Sequence, residues 1–130
     1  MRLNRFGLWV IVLSALLLGA CRTAAIHNVQ DAEVATNQGQ PTLSQVENAI
    51  VRAGAGLGWQ MEKQESGHIV GTLNVRDHRA EVDITYDRNT YDITYRDSRN
   101  LNYDGQNIHQ NYNGWISNLD DQIRTQLLTL

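Results

Sequence analysis

The feature that most constrains this fold is a change in hydrophobic period along the chain. From His68 to Arg96 apolar residues alternate with polar ones, as in strands that bury one face. Three runs share the alternation: Ile69, Gly71, Leu73 and Val75; Ala80, Val82, Ile84 and Tyr86; and Tyr91, Ile93 and Tyr95. Polar segments of hairpin length, 76–79 and 87–90, separate the runs. The pattern predicts a three-stranded antiparallel meander.

One register keeps every apolar residue of this meander on the same face, because side chains alternate along a strand. It makes four cross-strand pairs: Val75 with Ala80, Tyr86 with Tyr91, Glu81 with Arg96, and Thr85 with Asp92. We expect the opposite face to be polar and solvated. The first and third strands are expected to be exposed edges and therefore candidate docking surfaces.

Stripes with helical spacing lie on both sides of the meander. The first follows Pro41 and consists of Leu43, Val46, Ile50, Ala53 and Leu57, with Thr42 and Gln45, or Ser44 and Glu47, fitting a capping box. The second consists of Ile108, Tyr112, Trp115, Leu119, Ile123 and Leu127. Together the elements predict an α+β fold of order α-β-β-β-α, with two helices packed on one face of the sheet.

The glycine-rich string 54–58 is interpreted as the end of the first helix. It follows a helix rather than a strand, and no Gly-Lys-Ser/Thr comes after it, unlike a phosphate-binding loop.

Composition excludes several classes of protein. The chain has 130 residues, 11 Lys and Arg, 14 Asp and Glu, and a single cysteine. That length suits one domain. One cysteine excludes an internal disulfide framework and a Cys-rich zinc site. The net charge of −3 argues against a nucleic-acid partner, which would favour a basic face.

The first 20 residues have the features of a signal peptide. Arg2 and Arg5 precede 15 uncharged residues, which are fewer than the roughly 20 that a membrane-spanning helix needs. Leu18-Gly19-Ala20-Cys21 then resembles the lipobox of bacterial lipoproteins. The resemblance implies cleavage before Cys21, diacylation of its sulfur and acylation of its amine. A plain secretory signal and a short membrane anchor are the alternatives.

This interpretation divides the chain into 1–20 signal peptide, 21–40 lipidated cysteine with a polar tether, and 41–130 a single domain. A flexible tether of this length has an end-to-end distance of roughly 25 Å. Ile26, Val29 and Val34 are the residues of the tether that would let part of it dock on the domain. Arg22 stands where the family uses Asp to retain a lipoprotein in the inner membrane. The outer membrane, facing the periplasm, is therefore favoured.

Polar and aromatic residues concentrate between Asp97 and Trp115. The candidate ligand or partner contacts are Asp97, Ser98, Asn100, Tyr103, His109, Asn113 and Trp115. Asp97, Ser98 and His109 are the residue types of a hydrolytic triad, but no nucleophile-elbow motif surrounds Ser98. Caps and turns use the same side chains. We therefore predict that the protein has no catalytic residues. The less favoured alternative is an enzyme centred on His109 and Asp97-Ser98.

We predict no metal and no cofactor. His68 begins the first predicted strand and His78 lies in the first hairpin, so the two are far apart, and His27 lies in the tether. The chain contains no His-Glu-x-x-His motif.

Three strings of residues resemble a group of small bacterial lipoproteins of uncharacterised function. They are Ala49-Ile50-x-Arg52-Ala53-Gly54 with Gly58-Trp59; Tyr91-x-Ile93-x-Tyr95-x-Asp97-Ser98-x-Asn100-Leu101-x-Tyr103; and Ile108-His109-x-Asn111-Tyr112-Asn113-x-Trp115-Ile116-x-Asn118-Leu119. The resemblance covers roughly residues 42–124, besides the lipobox, and implies an envelope protein with a compact α+β domain. It brings no established activity.

We therefore expect a non-enzymatic binding module, held to the periplasmic face of a membrane by its lipid anchor, with an envelope protein as partner. A small-molecule binding module using the Tyr/Trp/His109 region is the alternative.

Overall fold

The computed structural model describes residues 22–130, so the signal segment and Cys21 lie outside the described residues. The elements are β1 (Thr23–Ala25), β2 (Val29–Glu33), α1 (Leu43–Gly56), β3 (Gln60–Lys63), β4 (His68–Val75), β5 (His78–Tyr86), β6 (Thr90–Arg99), β7 (Asn107–His109) and α2 (Gln110–Leu127). The predicted α+β class is confirmed. Neither helix of this range is long and apolar enough to cross a membrane.

The meander forms the centre of a larger sheet. Five antiparallel strands pair in the order β2-β6-β5-β4-β3, and β1 pairs with β7 in a separate two-stranded ribbon. The prediction of a three-stranded sheet was therefore too small. The prediction that the meander's outer strands are exposed edges is wrong, because β3 covers β4 and β2 covers β6.

The register of the meander differs from the predicted one in two places. Val75 pairs with His78, leaving a two-residue turn at 76–77 in which Arg76 adopts a positive φ of 58°. That tighter turn shifts the pairing by two residues and so keeps the faces unchanged. A bulge after Glu81 places it opposite Asp97 instead of Arg96. The pairs Tyr86–Tyr91 and Thr85–Asp92 are confirmed.

The expectation of a polar tether over residues 22–40 is wrong for its first part, because two strands lie there. Val29, Ala32 and Val34 are buried in the core. Asp31 has a positive φ of 52° at an irregularity in the β2–β6 pairing. This bulge hides the alternation that would identify a strand in the sequence.

The first helix begins and ends as its sequence indicates, whereas α2 begins at Gln110, later than predicted. Thr42 and Gln45 form the predicted capping box of α1. The helix ends in a Schellman arrangement, since the N–H of Trp59 donates to the Gly54 carbonyl and that of Gly58, at φ 88°, to Ala55. In α2 the buried stripe contains Ile116 as well as Tyr112, Leu119, Ile123 and Leu127. Ile108, expected in this helix, belongs to β7.

A single buried core joins the sheet to the two helices. Its fully buried large side chains include Ile50 of α1, Ile84 and Ile93 of the sheet, and Ile116 and Ile123 of α2. The polar face of the sheet remains exposed or half-buried, as predicted.

Candidate functional site

The first described residues are fixed to the domain at the β1–β7 ribbon. Thr23 pairs with His109, and the N–H of Gln110 donates to the Arg22 carbonyl at 2.9 Å. The N–H of Ile26 donates to the Gln106 carbonyl, also at 2.9 Å. We call this part of the molecule the ribbon end: it comprises the ribbon, the connection 100–106 and the turn at 76–77.

Three of the seven predicted contact residues, Asn100, Tyr103 and His109, lie at the ribbon end, where side chains and backbone groups hold the fold together. His109 is the N-cap of α2, and its Nδ1 accepts the N–H of Asn111 at 3.1 Å. Nδ1 of His78 lies 2.7 Å from the carbonyl oxygen of Asn100, whose side-chain amide donates to Asp77 at 2.7 Å. These bonds join the turn at 76–77 to the segment that leads into β7.

Asn113 holds the chain that follows β1. Its Oδ1 accepts the N–H of His27 at 2.9 Å, and its Nδ2 donates to the Ala25 carbonyl at 2.9 Å. One amide side chain near the start of α2 therefore satisfies two backbone groups more than 80 residues away in sequence. Its role in this structure is to position the N-terminal segment.

Asp97, Ser98 and His109 do not form a triad of hydrogen bonds. The Asp97 carboxylate accepts the N–H of Ser98 at 2.8 Å, and the Ser98 hydroxyl pairs with the Tyr95 hydroxyl at 2.7 Å. Nδ1 of His109 is used by the helix cap. Each of the three side chains has a different partner: Asp97 and Ser98 lie in β6, and only His109 caps a helix.

The aromatic side chains near this segment pack on one another. The rings of Tyr95 and Tyr103 lie 4.0 Å apart, and Tyr112 meets Tyr95 edge-on at 5.8 Å. Tyr103 remains 40% exposed, whereas Tyr112 is fully buried. Burial raises the pKa of Tyr112. The Tyr112 hydroxyl has no hydrogen-bond partner within residues 22–130.

Trp115, three residues after Tyr112 on α2, lies beside a cavity of about 60 Å³. The other lining residues are Leu57, Trp59, Leu73 and Asn118. Trp115 is half-buried at its rim, one residue before the buried Ile116. The predicted contact residues therefore have separate roles. His109 caps α2, Asn113 holds the N-terminal segment, Tyr103 stacks on Tyr95, and Trp115 lines a small cavity.

In the described part of the chain, no group of three or more His, Cys, Asp and Glu side chains is placed to hold a metal ion. Nε2 of His68 instead lies 2.7 Å from the Asp83 carboxylate on the polar face of the sheet.

The open face of the sheet forms a concave basin of about 510 Å³. It is lined by Gln60, Glu62, Gln64, Val70, Thr72, Asn74, Arg79, Glu81, Arg96 and Arg99. Arg79 pairs with Glu81, and Arg96 pairs with Asp83 at 2.9 Å, so most of its charges are compensated. The sequence predicted the polar face of the sheet but not that β3 lines one side of the basin. The four residues of β3 are too few to show the alternation of a strand.

Two tyrosine–carboxylate pairs lie at the other end of the sheet. The Tyr86 hydroxyl donates to Glu47 of α1, which also pairs with Lys63 at 2.8 Å. The Tyr91 hydroxyl donates to Asp120 of α2. The Lys63 ammonium lowers the pKa of Glu47, and burial raises the pKa of both tyrosines. The alternation of the meander predicts that the two tyrosines are buried but does not identify their partners, which lie on separate helices.

No family model, no curated protein and no solved structure matches this chain.

Proposed function

We propose that the chain is a bacterial envelope lipoprotein, acylated at Cys21, whose domain is a non-enzymatic interaction module. The observation that carries the proposal is the sequence Leu18-Gly19-Ala20-Cys21 at the end of a short uncharged segment. Several acyl chains on one residue anchor a protein firmly, whereas one chain does so only marginally. Arg22 favours the outer membrane, with the domain in the periplasm.

The open face of the sheet is the surface that we propose for an envelope protein partner. It is concave and polar, and its charges are mostly paired, so a partner would recognise it through hydrogen bonds more than through net charge. The edge strands β2 and β3 border the same sheet. This moves the proposed docking surface away from the edges of the meander that the sequence had suggested.

The anchor is tested by comparing the native protein with Cys21→Ser. We expect the native N-terminus to begin at an acylated Cys21 in mass spectrometry and the protein to fractionate with membranes. The Cys21→Ser chain should lack acyl groups. The matched control is Cys21→Ser combined with Thr23→Cys, which keeps one cysteine but moves it away from the lipobox and should also remain unacylated. An unacylated native N-terminus would contradict the proposal.

The partner surface is tested by photocrosslinking in cells. A photoreactive residue at Thr72, in the basin, should give a discrete protein adduct. One at Asp121, exposed on α2, is the control and should give none. Equal labelling at both positions, or no adduct at Thr72 in correctly acylated protein, would contradict a partner on the sheet face.

A further inference from the structure

We infer that the ribbon end of the domain lies directly against the lipid headgroups, so that the domain has one fixed orientation on the membrane. The inference rests on the proposed acylation of Cys21. It follows from the length of chain between that residue and the first fixed residue of the domain.

Almost no free chain separates Cys21 from the folded domain. Consecutive Cα atoms are about 3.8 Å apart, so Thr23 lies within about 8 Å of the acylated residue. The Arg22 carbonyl already accepts a hydrogen bond from α2, and Thr23 is paired in the ribbon. Asn113 holds the next residues. A flexible tether would allow the domain to tumble roughly 25 Å from the bilayer, but this segment is part of the fold.

The side chains at the ribbon end suit a headgroup layer. Tyr103 is 40% exposed, and tyrosine favours the boundary between water and lipid. Arg22 and Arg76 are exposed. The planar guanidinium group of arginine can bind a phosphate group through two N–H donors. The ribbon end also contains two aspartates, Asp77 and Asp104, equal in number to these arginines, so we expect the contact to depend on the short linkage and not on anionic lipid.

The opposite end of the molecule must then point away from the membrane. β5 runs from the ribbon end to Tyr86 over nine residues, about 30 Å at strand spacing. α2 starts at the ribbon and extends about 27 Å over 18 residues. Leu128, which is 49% exposed, lies just beyond its far end.

A single spin label reports this orientation, because Cys21 is the only cysteine and its thiol is consumed by acylation. Gln106→Cys labels the ribbon end and Leu128→Cys the far end, and both side chains are exposed. The full acylated protein is reconstituted in phosphatidylethanolamine vesicles with and without phosphatidylglycerol. Accessibility of the label to a water-soluble nickel complex is then measured. We expect it to be severalfold lower at position 106 than at 128, in both lipid mixtures.

A lengthened chain provides the matched control. Eight Gly and Ser residues inserted between Cys21 and Arg22 add roughly 16 Å of flexible reach. This variant should still float with vesicles, while the label at position 106 becomes about as accessible as that at 128. Equal accessibility of the two positions in the acylated protein without the insertion would overturn the inference and leave the anchor standing. A protein that neither carries acyl groups nor floats would overturn the anchor and the inference together.

Discussion

The Tyr112 hydroxyl is buried without a hydrogen-bond partner in the described chain, whereas the Tyr91 hydroxyl donates to Asp120. An unsatisfied buried polar group costs about 1–3 kcal/mol, and a satisfied one contributes about 1 kcal/mol. We predict that Tyr112→Phe raises the free energy of unfolding by about 1 kcal/mol and that Tyr91→Phe lowers it by a similar amount. Urea denaturation of both variants measures this. A loss of stability in Tyr112→Phe would indicate that its hydroxyl has a partner.

Two glycines in the last turn of α1 differ in the space around them. A Cβ on Gly54 would lie 2.7 Å from Cγ and Cε of Met61, whereas nothing lies within 4 Å of one on Gly56. We predict that Gly54→Ala is less favourable than Gly56→Ala, because the Met61 side chain must move aside and loses part of its packing. Gly56→Ala should stabilise it by roughly 0.5–1 kcal/mol, since alanine favours a helix. Chemical denaturation compares the two, and equal effects would contradict the packing argument.

The helices and the central strands could be predicted because each carries its own period over many residues. The stripe of α1 and its Thr42 cap, and the alternation from Ile69 to Tyr95, are local signals. The four other strands have three to five residues each. β1 is fully exposed and β2 contains a bulge at Asp31, so neither shows alternation. Pairing with distant strands decides their structure, and that pairing is not visible in local sequence.

The N-terminal strand depends on the clamp that Asn113 provides. Asn113→Ala removes the acceptor for the His27 N–H and the donor to the Ala25 carbonyl. We predict faster amide hydrogen exchange in residues 23–28 with little change in the protection of β4 and β5, because local openings precede global unfolding. The control is Asn111→Ala, two residues away and exposed on the same helix. Equal exchange in both variants would contradict the clamp.

Glu47 ties α1 to β3 and β5 through Lys63 and Tyr86. Its pKa in the folded protein is held below the ordinary 4.5, chiefly by Lys63. The carboxylate therefore stabilises the fold above that ordinary pKa, and the stabilisation is lost as the pH falls through the lowered value.

We accordingly predict that the native protein is more stable than Glu47→Gln at pH 7, by less than about 1 kcal/mol for so accessible a pair. The difference should decrease as the pH falls from 7 to 3, because the Glu47 carboxylate becomes increasingly protonated. Urea denaturation at both pH values measures it. Glu65→Gln, at an exposed turn position, serves as the control and should differ little from the native protein at either pH. A difference for Glu47→Gln that is as large at pH 3 as at pH 7 would contradict the role of its charge.

For the whole molecule, the sequence indicated which residues are polar and where an anchor would be, but not which surfaces meet. Asn100, Tyr103, His109 and Asn113 come together at the ribbon end because β1 pairs with β7, and neither strand could be recognised from its composition. The basin on the sheet likewise needs the wall from β3. Surfaces assembled from short strands follow from tertiary pairing, so the sequence could indicate a polar and aromatic segment but not which of its side chains meet.

The folding unit extends towards the N-terminus beyond the predicted boundary at residue 41, because β1 and β2 belong to it. A domain of residues 41–130 with a polar tether would keep its stability when residues 22–35 are removed. In the structure those residues include β2, which covers the edge of β6, and the buried Val29 and Val34. Two buried valines contribute roughly 1.5 kcal/mol or more each. We predict that a chain beginning at residue 36 is at least about 3 kcal/mol less stable than one beginning at residue 22.

Urea denaturation of the two chains checks this, with Val29→Ala in the longer chain as a graded control that should lose a smaller part of the same stability. Removing β2 also exposes the hydrogen-bonding edge of β6, so the shorter chain should associate at concentrations where the longer one stays monomeric. Sedimentation measures that association. Equal midpoints and equal association states for the two chains would mean that β2 contributes nothing to the folding unit and that residues 22–35 act as a tether.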